Sequence, residues 1–463
     1  MRINDTIAAV STPRGKGGIA VIRISGADAI EVADRVFKPA CGKSLAEIGN
    51  SRAVYGRIYE SGRYDGAPID DGIAVVFRAP RSFSGENTVE ISCHGGLLVT
   101  EAVLSAVLSA GARHAEAGEF TRRAFVNGRM GLSEAEALSN LLEAKSYSQL
   151  KLARSGLDGR LEKKCGEIYS SLKTILASLY AKIDYPDEDL ADMSAEELRD
   201  SLCVLLSDVK KVSSTYKSGR AIAEGIRTVI CGRPNVGKSS LYNRIVGREA
   251  AIVTELEGTT RDILEETAAL GGVTLRLCDT AGLRPSSDKV EQIGIERAYG
   301  KIDEAELILA VFDGSTELTD EDHELIEYLS DKKERVVAIV NKVELGQRIN
   351  KEKLTDAFGE VIEISTHTEE GIAPLADAAE SRFLDKDLDI ENDAVVFGAR
   401  QNAALTKTAA LLSEAVEILS CDGEIDAASF AVETAMAALS ELDGRQVGED
   451  IVSQIFAKFC VGK

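Results

Sequence analysis

The sequence predicts a multidomain protein of the α/β and α+β class, in which a domain with a parallel sheet is inserted into an all-α domain. Three observations predict it. Residues 1–120 carry β-rich runs between glycine-bearing turns, residues 121–224 and 387–463 carry apolar side chains at helical spacing, and residues 225–386 alternate short apolar runs with helical segments. A chain of 463 residues is also too long for one hydrophobic core.

The first predicted domain spans residues 1–120. Runs rich in β-forming residues at 18–24, 72–78 and 88–93 predict strands, and an apolar segment from about Leu97 predicts a helix after them. Strands followed by a helix indicate an α+β domain.

The predicted helical domain is made of two parts. Apolar residues such as Leu172, Ile175 and Leu179 recur at helical spacing in the first part, residues 121–224. Pro186 is expected to end or kink a helix there, because proline lacks an N–H and restricts the residue before it. The helical pattern returns in residues 387–463, so the region between is predicted to be an insertion into one helical domain.

The inserted domain, residues 225–386, is predicted to hold a parallel sheet flanked by helices. The runs that predict its strands are 228–231, 274–278, 307–312, 336–340 and 361–364.

The composition limits the function classes. The 54 Lys and Arg against 76 Asp and Glu give a formal charge of −22, which opposes tight binding of nucleic acid by the whole surface. The densest group of cations near the end of the first domain is predicted to be a solvated helix face with carboxylate counter-charges. Its members are Arg113, Arg122, Arg123 and Arg129, with Glu116 and Glu119 as the counter-charges.

Location is predicted from the cysteines and the apolar segments. The eight cysteines have no C-x-x-C spacing, which favours reduced thiols in a cytosol over zinc sites or disulfides. The apolar segment 97–110 is too short to span a bilayer and contains Glu101, and residues 1–10 do not resemble a signal peptide. We therefore expect a cytoplasmic protein without membrane insertion.

The most specific motif is Gly232-Arg-Pro-Asn-Val-Gly237-Lys238-Ser239, which matches the P-loop pattern between a predicted strand and a predicted helix. Its glycines let backbone N–H groups converge on phosphates at a helix N-terminus. Lys238 is expected to reach the terminal phosphates, and the Ser239 hydroxyl to bind magnesium.

Three further elements follow in the order that a GTPase requires: Gly-Thr-Thr-Arg-Asp at 258–262, Asp-Thr-Ala-Gly at 279–282, and Asn341-Lys342. Thr260 is expected to complete the magnesium shell. The predicted GTP-binding residues are Asn235, Val236, Gly237, Lys238, Ser239, Ser240, Thr254, Glu255, Leu256, Glu257, Gly258, Thr259, Asp279, Thr280, Ala281, Gly282, Asn341, Lys342 and Glu344. A GTP hydrolase is therefore predicted.

Two positions depart from the usual GTPase pattern. Glu344 stands where an aspartate normally accepts from the guanine N–H groups, so the charge is kept while the reach changes. Leu283 stands where many GTPases carry the glutamine that orients water, so hydrolysis must be assisted in another way. Asn235 and the segment 254–259 offer oxygen atoms to a monovalent cation near the phosphates.

These motifs, together with residues 279–297 and the C-terminal Phe-Cys-Val-Gly-Lys at 459–463, resemble the MnmE (TrmE) family of tRNA-modifying GTPases. Further segments typical of that family are 12–26, 85–96, 118–127 and 183–188. The resemblance covers the whole chain.

The resemblance implies a dimerising, tetrahydrofolate-binding first domain, and hence a homodimer. It implies that GTP hydrolysis acts with an FAD-containing partner of the MnmG type to attach an aminomethyl-type group to carbon 5 of the wobble uridine of certain tRNAs, with the carbon taken from 5-formyl- or methylene-tetrahydrofolate. The positions that match the folate site are Arg23, Glu90, Arg129 and Lys463.

For catalysis, the resemblance assigns potassium to Asn235, Thr254, Leu256 and Thr259, and magnesium to Ser239 and Thr260. Glu291 is implied to orient the attacking water through a second water.

Two alternatives remain at this point. One is an RNA-binding ribosome-assembly GTPase of the Era or Der kind, although the sequence lacks a KH-type loop and has one P-loop. The other is a GTPase switch that only regulates a partner enzyme.

Overall fold

The structure, a computed structural model, describes the chain with several gaps. The described residues are 5–13, 15–64, 66–185, 193–247, 265–278, 300–368, 371–421, 424–442, 449–457 and 459–463. They form two compact units, one from residues 1–139 and 440–463 and the other from residues 140–439.

The first unit is built on a seven-stranded sheet in the order β3-β4-β5-β6-β2-β1-β7, antiparallel except where β7 joins β1. Its strands are β1 (Ile7–Val10), β2 (Ile19–Ser25), β3 (Phe37–Pro39), β4 (Arg52–Ile58), β5 (Asp70–Phe77), β6 (Thr88–His94) and β7 (Arg113–His114). The strands predicted at 18–24, 72–78 and 88–93 are confirmed as β2, β5 and β6.

The strands of this sheet alternate buried apolar residues with more polar ones, so they present an apolar face. Helices cover that face. Ile22 and Ile24 of β2 and Ile91 of β6 lie fully buried in the core. The helices of this part of the chain are α1 (Ala29–Asp34), α2 (Leu97–Ser109), α3 (Glu119–Val126) and α4 (Leu132–Glu143).

The second unit holds a six-stranded sheet in the order β13-β12-β11-β8-β10-β9, parallel except for β9. Its strands are β8 (Ile226–Cys231), β9 (Glu265–Leu270), β10 (Val273–Cys278), β11 (Leu307–Asp313), β12 (Val336–Asn341) and β13 (Val361–Glu363). All five predicted strands are confirmed, and β9 was not predicted.

Helices precede, flank and follow this sheet. They are α5 (Tyr147–Leu157), α6 (Arg160–Asp184), α7 (Ala195–Ser214), α8 (Tyr216–Ala223), α9 (Lys238–Gly247), α10 (Asp320–Leu329), α11 (Lys351–Phe358), α12 (Ile372–Phe383), α13 (Ala399–Ser420) and α14 (Ile425–Ser440). The last helix, α15 (Glu449–Ala457), belongs to the first unit.

The helical segments before and after the parallel sheet pack on each other within the second unit. Helix α7 packs along α13, and the Ser213 hydroxyl donates to Asn402 Oδ1 at 3.1 Å. Helix α6 ends at Asp184, before Pro186, as predicted. The predicted fold class, an α/β domain inserted among helices after an α+β domain, is confirmed. None of the helices in the part of the chain that the structure describes combines the length and apolar character needed to span a bilayer.

The predicted solvated arginine face is wrong for its central members. Arg123 is 4% exposed and Glu119 is 1% exposed. The Arg123 guanidinium lies 3.0 Å from Glu119, 2.6 Å from Asp5 and 3.2 Å from Glu86, so it joins α3 to two other segments. The spacing of charged residues within one helix does not indicate that Asp5 and Glu86, from other parts of the chain, also contact Arg123.

The buried ion pair of Glu119 with Arg123 makes the stability of the folded first unit depend on pH. Burial raises the pKa of Glu119, but hydrogen bonds from Arg113, the Glu116 N–H and Arg123 outweigh burial, and the pKa lies below its ordinary value of 4.5. A carboxylate with a lowered pKa stabilises the fold above its unfolded pKa, and this contribution is lost as pH falls through the folded pKa.

We expect Glu119→Gln to destabilise the first unit by about 2 kcal/mol at pH 7, because charge-assisted hydrogen bonds are lost. Thermal unfolding followed by circular dichroism should show that difference shrinking as the pH falls below about 4.5. The exposed neighbour Glu116→Gln serves as the control. A difference that stays constant down to pH 3 would contradict the prediction.

Candidate functional site: the phosphate loop and the Arg23–Glu90 pair

The phosphate loop leaves the central strand β8 at the carboxyl edge of the sheet and enters α9 at Lys238. Two glycines of the loop let its backbone lie close to neighbouring groups. A Cβ on Gly232 would lie 2.3 Å from the Val311 carbonyl oxygen, and one on Gly237, where φ is +102°, would lie 2.0 Å from Asn341 Nδ2. No side chain fits in either place, so the packing of the loop requires both glycines.

The Lys238 ammonium lies over this loop. Its Nζ donates to the carbonyl oxygens of Gly232 at 2.7 Å and Arg233 at 2.8 Å. Burial lowers the pKa of Lys238. A cation held in this way at a helix N-terminus is suited to bind a polyphosphate, whose charge stabilises the ammonium form. Ser239 and Ser240 are exposed in the first turn of α9, and the Ser239 hydroxyl is available there as a magnesium ligand.

Asn235 adopts a left-handed backbone conformation with φ of +64°. Its carbonyl oxygen accepts a hydrogen bond from Lys342 Nζ at 2.7 Å, and the same ammonium lies 2.6 Å from Asp313 Oδ2. Burial raises the pKa of Asp313, but the bonds from Lys342 and Ser315 outweigh it and lower the pKa. Lys342 is therefore held between a carboxylate and the phosphate loop.

The predicted guanine-recognition residues lie at the end of β12, beside the phosphate loop. Asn341 is fully buried, its Nδ2 donates to the Val236 carbonyl at 2.8 Å, and its Oδ1 accepts from the Thr366 N–H at 3.2 Å. Asn341 thus joins the loop to the segment that would flank a base. Glu344 is exposed in a short 3₁₀ turn, Val343–Leu345.

Several predicted site residues lie outside the described residues, so their assignments remain predictions. They are Thr254, Glu255, Leu256, Glu257, Gly258, Thr259, Thr260, Asp279, Thr280, Ala281, Gly282 and Glu291. Of the predicted metal ligands, the structure describes Asn235 for potassium and Ser239 for magnesium.

Sequence reasoning missed three residues near the loop, one at the end of β11 and two in the segment that follows it. Asp313 pairs with Lys342, while Thr316 and Asp322 both contact Arg233. The available signal was Thr319-x-x-Asp322, a helix-capping pattern. It predicts where α10 begins, but it does not predict that Asp322 contacts Arg233.

The first unit carries a second candidate site on β2 and β6. Arg23 and Glu90 are register partners, and Arg23 Nε donates to Glu90 Oε1 at 2.9 Å. The Arg23 guanidinium lies 5.0 Å from the Phe83 ring centroid and 5.7 Å from that of Phe120. Two of the four predicted folate-binding residues therefore form a partly exposed polar pair beside aromatic rings.

The other two predicted folate residues lie on other segments of the first unit. Arg129 packs beside Gly85, two residues from Phe83, where an added Cβ would lie 3.0 Å from Arg129 Cγ. Lys463 ends a tail that docks at the end of β1. The Ser11 hydroxyl donates to the Gly462 carbonyl at 2.9 Å, and Val461 forms an antiparallel bridge with Ala117.

Two family models match the chain. The one described as GTP-binding protein TrmE N-terminus matches residues 6–129, and the one described as MnmE helical domain matches residues 132–460. Together they extend over both units.

Full-length relatives agree with the family models. A tRNA modification GTPase MnmE of Clostridioides difficile is 39% identical over 465 residues, covering 100% of both chains. Proteins of the same name from Bacillus cereus and Symbiobacterium thermophilum are each 40% identical and cover 99% of both chains.

Among solved structures, the G domain of the Thermotoga maritima FeoB iron transporter is 25% identical, covering 34% of this chain and 98% of its own, with a TM-score of 0.26. Aquifex aeolicus Era is 21% identical, covering 40% of this chain and 66% of its own, with a TM-score of 0.28. Since the family models and the full-length relatives agree along the chain, this protein belongs to the MnmE (TrmE) family of tRNA modification GTPases.

Proposed function

We propose that this protein is a potassium-activated, magnesium-dependent GTPase that acts in the cytoplasm with an FAD-containing partner of the MnmG type. The pair modifies carbon 5 of the wobble uridine of certain tRNAs with an aminomethyl-type group. The one-carbon unit comes from 5-formyl- or methylene-tetrahydrofolate. Family membership and the phosphate loop support the GTPase part and its connection with tRNA.

The metal ions fit the residues of the loop. Ser239 offers an exposed hydroxyl at the start of α9, and Asn235, earlier in the loop, has an exposed side chain with an amide oxygen. Hydroxyl and amide oxygens suit both Mg²⁺ and K⁺. When bound, such cations offset the negative charge that develops on the transferred phosphate.

The observation that carries the folate part is the Arg23–Glu90 pair beside Phe83 and Phe120. The Glu90 oxygen that Arg23 does not contact can accept from the N–H edge of a pterin, while aromatic rings can pack against the flat face of the pterin. Arg129 and Lys463 supply cations on other segments of the first unit, and a cation suits the glutamate carboxylates of a folate tail.

The homodimer is supported by the outward face of the first sheet. Tyr55 and Ile73 are register partners on β4 and β5 and are 55% and 45% exposed, and Ile19 on β2 is 67% exposed. Apolar side chains grouped on a sheet face are typical of a protein contact. We propose that a second copy of this chain covers them.

Binding of 5-formyl-tetrahydrofolate to the full-length protein, measured by isothermal titration calorimetry, tests the proposed function. We expect Glu90→Gln to weaken binding about 10- to 100-fold, because a charged hydrogen-bond acceptor is lost. The exposed carboxylate Glu101 on α2 provides a matched control, Glu101→Gln.

Equal affinity of both variants and the wild type would remove Glu90 from the site. No binding to the wild type would contradict the one-carbon role. The alternative functions that would then remain are a ribosome-assembly GTPase and a regulatory GTPase switch.

A further inference from the structure

Arg233, the second residue of the phosphate loop, is anchored outside the loop. Its Nε donates to Asp322 Oδ2 at 3.2 Å, and its Nη2 donates to the Thr316 hydroxyl at 2.7 Å. Both partners lie in the stretch between β11 and β12, which carries none of the nucleotide motifs. The loop is therefore attached to a part of the domain with no assigned role in nucleotide binding.

Asp322 is a buried carboxylate, with its side chain 3% exposed. Its Oδ2 also accepts from the Thr319 N–H at 3.0 Å and from the Thr319 hydroxyl at 2.9 Å, which caps α10. Its Oδ1 is buried, and among the described residues no group donates a hydrogen bond to it. In the described part of the chain, the charged group that contacts this carboxylate is thus the Arg233 guanidinium.

A buried carboxylate that loses its cation is strongly destabilised. If Arg233 moved away from α10, Asp322 would become a buried carboxylate without a cation beside it. The ion pair consequently favours one position of the loop, even though Arg233 itself is partly exposed.

Two other contacts hold neighbouring loop residues. Asn341 binds the Val236 carbonyl and Lys342 binds the Asn235 carbonyl. Those contacts come from the base-recognition motif on β12, whereas the Asp322 contact comes from α10. Together they fix the loop on two sides, and a loop that is fixed before binding loses less conformational entropy when it takes up phosphates.

We propose that Asp322 is a positioning residue of the GTP site, which holds Arg233 and thereby keeps the phosphate loop in its nucleotide-binding conformation. Its effect is on nucleotide affinity rather than on the hydrolytic step. The proposal rests on the GTPase activity alone, so it stands or falls independently of the folate and tRNA assignments.

The test is a double-mutant cycle in the full-length protein with Asp322→Asn, Arg233→Gln and the two combined. Asparagine keeps an oxygen that can cap α10, so the fold is retained while the charge is removed. We expect Kd for a fluorescent GDP analogue and KM for GTP to rise about tenfold in each single variant, with kcat changing much less. We expect little further loss in the double variant, because both changes break the same pair.

Two comparisons separate positioning from general stability. Arg233→Lys keeps a cation and should recover part of the affinity, whereas the exposed neighbour Glu321→Gln should bind as the wild type does. An unchanged Kd and KM in Asp322→Asn and Arg233→Gln would overturn the proposal. So would fully additive losses in the double variant, or a fall in thermal midpoint without a change in KM.

Discussion

Replacing Lys238 by alanine is expected to lower GTP turnover at saturating GTP by roughly 10²- to 10³-fold. Its ammonium is held over the phosphate loop by the Gly232 and Arg233 carbonyls, at the N-terminus of α9. A preorganised cation at this place stabilises negative charge on the transferred phosphoryl group, and neither the backbone N–H groups nor Arg233 can replace it. Release of inorganic phosphate per protein chain measures the effect.

Lys353→Ala, an exposed lysine on α11, is the control for the loss of a surface charge. We expect it to retain full turnover. A Lys238→Ala variant within a few-fold of the wild type would mean that the loop binds the nucleotide in another way than its motif indicates.

Exchange of potassium for sodium at equal ionic strength is expected to reduce turnover by roughly 10³-fold, the lower end of the effect of an arginine finger. The sequence has Leu283 where a water-orienting glutamine is usual, and the proposed potassium ion would supply stabilisation of the transferred phosphate that Leu283 cannot. Phosphate release in matched potassium and sodium buffers measures it.

Asn235→Gly is the informative variant for this experiment. Glycine adopts the φ of +64° without strain, so the loop keeps its backbone conformation while the amide oxygen is lost. We expect its turnover to be low and the same in both salts, and Glu291→Ala to be slow in both. Equal turnover of the wild type in both salts would contradict the potassium site and leave the GTPase assignment intact.

The phosphate loop could be predicted from sequence because all its determinants are local. Gly232, Gly237 and Lys238 lie within one short segment, and the strand before it and the helix after it are marked by their own patterns. The parallel sheet could be predicted for the same reason, since its buried strands β11 and β12 are nearly continuous apolar runs.

Other features depend on which segments meet in space. The contact of Arg233 with Asp322 joins residues 89 positions apart, and no local pattern records it. Arg123 looks like a solvated helical arginine until Asp5 and Glu86 are brought to it by the fold. Family resemblance assigns Arg23 and Glu90 to one site, while their direct contact follows from the antiparallel register of β2 and β6.

The docking of residues 459–463 on the first unit has a consequence for how the protein is made. Val461 pairs with Ala117, and Gly462 packs so closely on β1 that an added Cβ would lie 2.1 Å from the Val10 carbonyl oxygen. During translation, β1 and the start of α3 leave the ribosome long before residues 459–463, because residues 140–439 are translated in between. At about 5–20 residues per second that interval is roughly 15 to 60 s. The second unit can therefore fold while the first unit is still incomplete, and the contacts that residues 461–462 make with the first unit form last.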